Sequence, residues 1–178
     1  MAKRALVVVV AAAALATGAG GRGAVATACD GGAWRVAQSA VAWSEATGRH
    51  TATFVVVNDS RGACTLRGYP TIVLLDAGGR TLAFSYSHRG DQMITRDAPR
   101  SVRVGAGGRA FFAFDKYRCD LRATAVARFA LVRLPGVHAS ERLRLARYPI
   151  IDFCAQRASL TIAVSPIVAR IVDAAARR

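Results

Sequence analysis

Thr53-Phe54-Val55-Val56-Val57-Asn58-Asp59-Ser60, Cys64-Thr65-Leu66-Arg67-Gly68-Tyr69-Pro70, Thr71-Ile72-Val73-Leu74-Leu75-Asp76 and Ala77-Gly78-Gly79-Arg80 follow one another within residues 53–82. Valine, threonine and phenylalanine suit a pleated, half-buried surface, and the Asn-Asp-Ser and Ala-Gly-Gly segments interrupt it with turn chemistry. The order is therefore strand, cysteine corner, strand, tight turn, strand, which points to stacked antiparallel sheets.

Outward from this stretch the pattern continues. Trp34 to Trp43 holds a first strand, and Thr51 to Val57 a firmer second one. Thr71 to Leu75 is continuously apolar, as for a strand covered on both sides, and the Asp76 turn leads into Arg80 to Tyr86. Ser87 to Pro99 is polar and lacks periodicity, so it reads as a mobile loop; its Arg89-Gly90-Asp91 tripeptide is the kind of match that chance supplies in a chain of this composition. Ser101 to Val104 and Arg109 to Phe114 flank the turn Gly105-Ala106-Gly107-Gly108, which lacks the Gly-Lys-Ser/Thr ending of a phosphate loop. Arg128 to Leu134 and Arg142 to Arg147 flank Pro135-Gly136. The last strand is expected over Ser159 to Val164. Ser165-Pro166 then starts a short amphipathic helix whose apolar stripe is Ile167, Val168, Ile171, Val172 and Ala175.

The cysteine corner, the Leu66-x-Gly68-Tyr69-Pro70 motif and the Asp76-x-x-Gly79 turn together resemble the secreted actinobacterial domain of unknown function 4232 family. The resemblance runs from Cys29 through Ser165-Pro166 and is most specific over Cys64 to Pro70. It implies an immunoglobulin-like antiparallel β-sandwich, here of seven to nine strands, and it implies no activity, because the family has none established. The high arginine content and the tail after Ile167 depart from the family pattern.

Met1-Ala2-Lys3-Arg4, the apolar run Ala5 to Thr17 and the small residues through Ala28 have the three-part order of a secretory signal peptide. Residues 1–28 are expected to be removed, leaving a sandwich domain over 29–166 and a tail over 167–178, secreted or associated with the cell envelope. Cleavage could follow either Ala24-Val25-Ala26 or Ala26-Thr27-Ala28. A lipoprotein anchored through Cys29 is the alternative; acylation there would leave an odd number of cysteines in an oxidising compartment.

Four cysteines permit three pairings. Positions facing each other across a hairpin have a constant sum. Cys29 with Cys64 centres on the polar turn Glu45 to Arg49, and Cys119 with Cys154 centres on Pro135-Gly136-Val137. The spacing predicts the bridges Cys29–Cys64 and Cys119–Cys154, each facing across a hairpin. Close cysteine pairs of the zinc type are absent and His50, His88 and His138 are isolated, so no metal and no cofactor is expected.

The chain carries a net charge of +14, and loses Lys3, Arg4 and Arg22 with the signal peptide to reach +11. Nearly all of that charge is arginine. In the second arm of the Pro135-Gly136 hairpin Leu143 and Leu145 alternate with Arg142 and Arg144, so one face packs inward while the other presents guanidinium groups. Arg128, Arg133, Arg142 and Arg144 are the candidate polyanion-binding residues. The partners they fit are an anionic wall polymer or a lipid surface, or else an envelope protein; export separates the chain from nucleic acid. Neither a Gly-x-Ser-x-Gly elbow nor a His-Glu-x-x-His motif is present, and acids such as Asp97, Asp115, Asp120 and Glu141 have no local context marking them as a glycosidase pair. The sequence is thus read as a non-enzymatic binding or envelope module, with an uncharacterised hydrolase as the remaining alternative.

Overall fold

The structure, a computed structural model, describes residues 27–29, 33–41, 43, 48–120, 122–154 and 157–177. The signal-peptide reading lies outside the described residues except at Thr27 and Ala28. In chain order the strands are β1 (Thr27–Ala28), β2 (Trp34–Gln38), β3 (Arg49–Asn58), β4 (Cys64–Leu66), β5 (Thr71–Leu75), β6 (Ser85–Ser87) and β7 (Val102–Val104). There follow β8 (Arg109–Tyr117), β9 (Ala125–Val126), β10 (Phe129–Arg133), β11 (Ser140–Arg144), β12 (Asp152–Phe153) and β13 (Thr161–Val164). One helical turn, α1 (Arg157–Leu160), precedes β13. The architecture is all-β with several sheets: five strands in the order β2-β3-β8-β13-β6, three in β11-β10-β5, three in β1-β4-β7, and the pair β12-β9. The strands described outnumber the expected seven to nine because several are fragments of two or three residues.

Strand alternation builds the core. Ala52, Phe54 and Val56 of β3 and Ala110, Phe112 and Phe114 of β8 point the same way, into one cluster with Leu66, Ile72, Leu74, Val104, Ala130, Val132 and Leu143 of the smaller sheets. Phe54 and Phe112 stack with centroids 4.7 Å apart, and each such buried side chain contributes about 1.5–3 kcal/mol. The loops that turn the chain are fixed by side chains. Buried Asn58 donates Nδ2–H to the carbonyls of Gly62 and Val104, which sets the corner leading to Cys64. Asp76 accepts the amides of Gly78 and Arg80 on one carboxylate oxygen, and Gly79 takes the left-handed φ of 81° that the tight turn demands. At Gly68, φ is 128°, and an added Cβ would meet Pro135 at 3.1 Å. The glycine of the Leu-x-Gly-Tyr-Pro motif is thus required both by its backbone conformation and by close packing.

Several sequence expectations are corrected. The first strand stops at Gln38 rather than reaching Trp43, and of Arg80 to Tyr86 only Ser85 and Tyr86 enter a strand. β5 is covered on one side more than the other, with Thr71 exposed and Val73 half-buried. The Ser159–Val164 strand begins at Thr161 because α1 occupies the preceding residues. The amphipathic terminal helix does not form. Ile167 donates its amide to Gly68 O, and Val168 exchanges both backbone bonds with Phe111. These β-branched residues thus satisfy their backbone against the sheet, leaving a single 3-10 turn over Ile171–Ala174. That tail, with Ile94, covers the outer face of the five-stranded sheet: Ile94, Ala113, Ala163 and Ala174 form a second buried cluster. The Ser87–Pro99 connection is accordingly pinned at its middle, Ile94 and Thr95 being buried.

Candidate functional site

The arginine face arises from the register of β10 and β11. Ala130 and Leu143 face each other inward, whereas Leu131 lies opposite Arg142 and Phe129 opposite Arg144 on the outer side. Arg133, at the far end of β10, pairs with Ser140. The Arg142 guanidinium lies 4.2 Å over the Phe129 ring. Glu141, on the inner phase of β11, accepts the Val36 amide at 2.6 Å and ties this sheet to the edge strand β2; burial raises its pKa above the ordinary carboxylate value, against the lowering effect of that amide.

Arg128 precedes β10, where the alternation slips: Ala127 is buried and bonded to Ile151, while Arg128 donates its amide to Leu75 and turns its side chain outward. The slip sets Arg128 beside Arg144 and Arg147 around one hollow of about 490 Å³, completed by Val126, Leu145, Tyr148 and Ile150. No carboxylate lines it. Tyr148 and Ile150 also border a second hollow of about 580 Å³, with Gln38, Val41 and Trp43 among its walls. Of the four predicted arginines, then, Arg128 and Arg144 converge, Arg142 lies on an aromatic ring, and Arg133 stands apart. Sequence reasoning missed Arg147, Tyr148 and Ile150; the Arg147-Tyr148-Pro149 segment, an aromatic between a cation and a turn residue, was the available signal.

The cysteines form the bridges Cys29–Cys64, with Cα atoms 5.0 Å apart, and Cys119–Cys154, at 6.1 Å. The hairpin expected to join the first pair does not do so, whereas the second pair lies beyond the open end of the Pro135-Gly136 hairpin, whose arms pair again as β9 with β12 in a shifted register. Cys29 follows β1, which runs parallel to β4 with Thr27 beside Cys64, and Cys119 arrives from the end of β8 to meet Cys154 just past β12. The first bridge engages the Cys29 sulfur that lipidation would need.

Two buried ionic groups lie on opposite sides of β8. On the outer side Arg49 donates to both Asp91 and Asp115, Thr51 donates to Asp115 at 2.5 Å, and the guanidinium lies 3.8 Å over the Tyr117 ring. Asp91 also accepts the amides of Met93 and Ile94. Its carboxylate is thereby engaged inside the fold, so Arg89-Gly90-Asp91 is not displayed as a recognition tripeptide. Burial foremost, and the Asp91 charge against the Thr51 bond and Arg49, push the pKa of Asp115 up to about 7. On the inner side Lys116 donates to Asp152 at 2.5 Å and to the Tyr117 carbonyl, while the Cys119 amide donates to the other Asp152 oxygen at 2.8 Å. Burial lowers the Lys116 pKa. Asp152 is raised by burial, but the bonds from Lys116 and Cys119 outweigh this and hold it below the ordinary value. Among the described residues no group of three or more His, Cys, Asp or Glu is placed to hold a metal ion.

A family model described as a domain of unknown function (DUF4232) matches residues 29–166. No curated protein and no solved structure matches the chain.

Proposed function

The chain belongs to the DUF4232 family, and from that premise we propose that it is an exported, non-enzymatic binding module of the cell envelope, a two-layer immunoglobulin-like scaffold whose contact surface recognises a polyanion. The observation that carries this reading is the convergence of Arg128, Arg144 and Arg147 on one hollow with no carboxylate in its lining. Three arginines lining a common space favour phosphate or carboxylate groups, which guanidinium can grip through paired N–H donors. Tyr148, 77 % exposed, and Ile150 supply an apolar shelf beside them, suited to the carbon skeleton between the charges of a wall polymer.

Binding of the purified protein to isolated cell wall or to anionic liposomes, measured across salt concentrations, tests the proposal. Retention should fall steeply with salt, and the triple variant R128Q/R144Q/R147Q should lose most of it while R103Q, on β7 of another sheet, keeps it. Retention that ignores both salt and these three arginines would refute the reading.

A further inference from the structure

Lys116 is the only lysine after Lys3; apart from three histidines, every other basic side chain beyond that point is arginine. The single exception is also fully buried, with its side chain 0 % exposed and its Nζ against Asp152. If a buried ion pair were all that this position required, arginine would serve it better, since its planar guanidinium stays charged. Lysine differs in that it gives up its proton when buried and becomes a nucleophilic amine.

The surroundings of the pair suit an attack. Nζ lies 2.5 Å from Asp152 Oδ1. The Cys119 amide donates to Oδ2 at 2.8 Å, where negative charge would develop on a tetrahedral carbon. His50 Nε2 stands 3.9 Å from Oδ1, longer than a hydrogen bond, so passing a proton between them requires the gap to close or a water to bridge it. β8 and β12 hold the two side chains together permanently; such positioning is worth effective molarities on the order of 10⁵–10⁸ M in favourable intramolecular reactions.

We propose that Lys116 and Asp152 condense to an isopeptide bond that joins β8 to β12 across the core. The ammonium proton passes to the carboxylate along the existing hydrogen bond, giving a neutral amine and a neutral acid. The Nζ lone pair adds to Cγ, and the Cys119 amide holds the charge that forms on Oδ2. A second Nζ proton moves through His50 to Oδ1, the Cγ–Oδ1 bond breaks, and one water leaves. Ammonium and carboxylate thus become amide and water with no oxidant or co-reactant. Burial lowers the Lys116 pKa and so favours the neutral amine, while the lowered pKa of Asp152 opposes its protonation and makes the proton transfer the uphill step; exclusion of water opposes the reverse hydrolysis. The bond would close the same end of the fold as the Cys119–Cys154 bridge, but by a link that reductants do not cut.

The full chain, exported and folded, is then reduced, alkylated and denatured for intact-mass and peptide analysis. The expected result is a mass lower by one water, a tryptic peptide joining the Lys116 segment to the Asp152 segment, and no side-chain amine left for an amine-selective reagent. K116R and D152A should both regain the full mass, and H50Q should slow the loss without abolishing it. Folded, disulfide-bonded wild type at full mass with a reactive Lys116 amine would overturn the proposal. So would a water loss mapped to a cyclic imide at Asp30-Gly31 with Lys116 unmodified.

Discussion

Asp115 and Lys116 are neighbours on one strand, both buried, yet their environments differ in a way that separates two uses of buried charge. Lys116 faces the main core with one carboxylate and one amide donor serving that carboxylate, so in the unlinked pair one cation meets one anion. Asp115 faces the outer cover, where a single guanidinium is shared between two carboxylates. Burial opposes ionisation on both sides. It is overcome at Asp152, whose countercharge and hydrogen-bond donors are its own, and it prevails at Asp115, which must divide Arg49 with Asp91. Depth and countercharge act together: the Asp115 side chain is 0 % exposed against 12 % for Asp152, and only Asp115 must divide its cation.

The largest effect should come from breaking the balanced side. Measured against wild type before the proposed amide closes, Asp152→Ala leaves Lys116 buried without its carboxylate and is expected to cost about 3–5 kcal/mol in denaturant unfolding, whereas K116M/D152L, which removes both charges, should recover most of that loss. A single variant as stable as wild type would show that the two sides do not differ as described. Slightly smaller, removal of the neighbouring bridge by C119S/C154S should cost about 3–4 kcal/mol, the chain-entropy value for a loop of its 35-residue separation.

The two sides also predict opposite responses to pH. The folded-state pKa of Asp115, about 7, lies above its ordinary value of 3.8, so the folded state holds this proton more tightly than the unfolded chain does. Its contribution to stability is fully present below pH 4 and is lost as pH rises toward 7, with a slope of at most about 1.4 kcal/mol per pH unit. Asp152 is shifted down, so before the proposed amide closes its contribution is present above pH 4 and is lost as pH falls through its lowered pKa. Asp115→Asn should flatten the upper limb of the stability profile and leave the acid limb in place. An unchanged upper limb would assign that titration to another group.

Neither cluster was visible in the sequence as a cluster. The Asp115-Lys116 pair stands at the end of an apolar strand, and the lone lysine among arginines was a signal, but the partners arrive from Arg49, Asp91 and Asp152 through strand register rather than local spacing. What could be read were features carried by short patterns. The Pro135-Gly136 turn placed the β10–β11 hairpin and the outward phase of Arg142 and Arg144, and the Asp76-x-x-Gly79 turn placed the end of β5. The cysteine spacing named the right partners, but for Cys29–Cys64 the reason was wrong, since parallel β1 does the joining, and for Cys119–Cys154 the hairpin arms meet only with a shifted register. The helical stripe after Pro166 failed because the tail found a sheet to complete, and periodicity alone cannot report an available edge or face.

The smallest expected effect sharpens the contrast between covered and exposed cations. Arg49 over Tyr117 and Arg142 over Phe129 make similar ring contacts, at 3.8 Å and 4.2 Å, but Arg49 is buried and Arg142 is exposed. Water competes for the exposed guanidinium, so Phe129→Leu should remove only about 0.5–1 kcal/mol of cation–π stabilisation beyond its change in packing, isolated by a double-mutant cycle with Arg142→Gln. The same cycle run at high salt should change little, because the ring is uncharged. A coupling as large as that of the buried ion pair would mean that the Arg142 face is covered in solution, and the most direct cover for a surface with this charge is the polyanion that Arg128, Arg144 and Arg147 are proposed to bind.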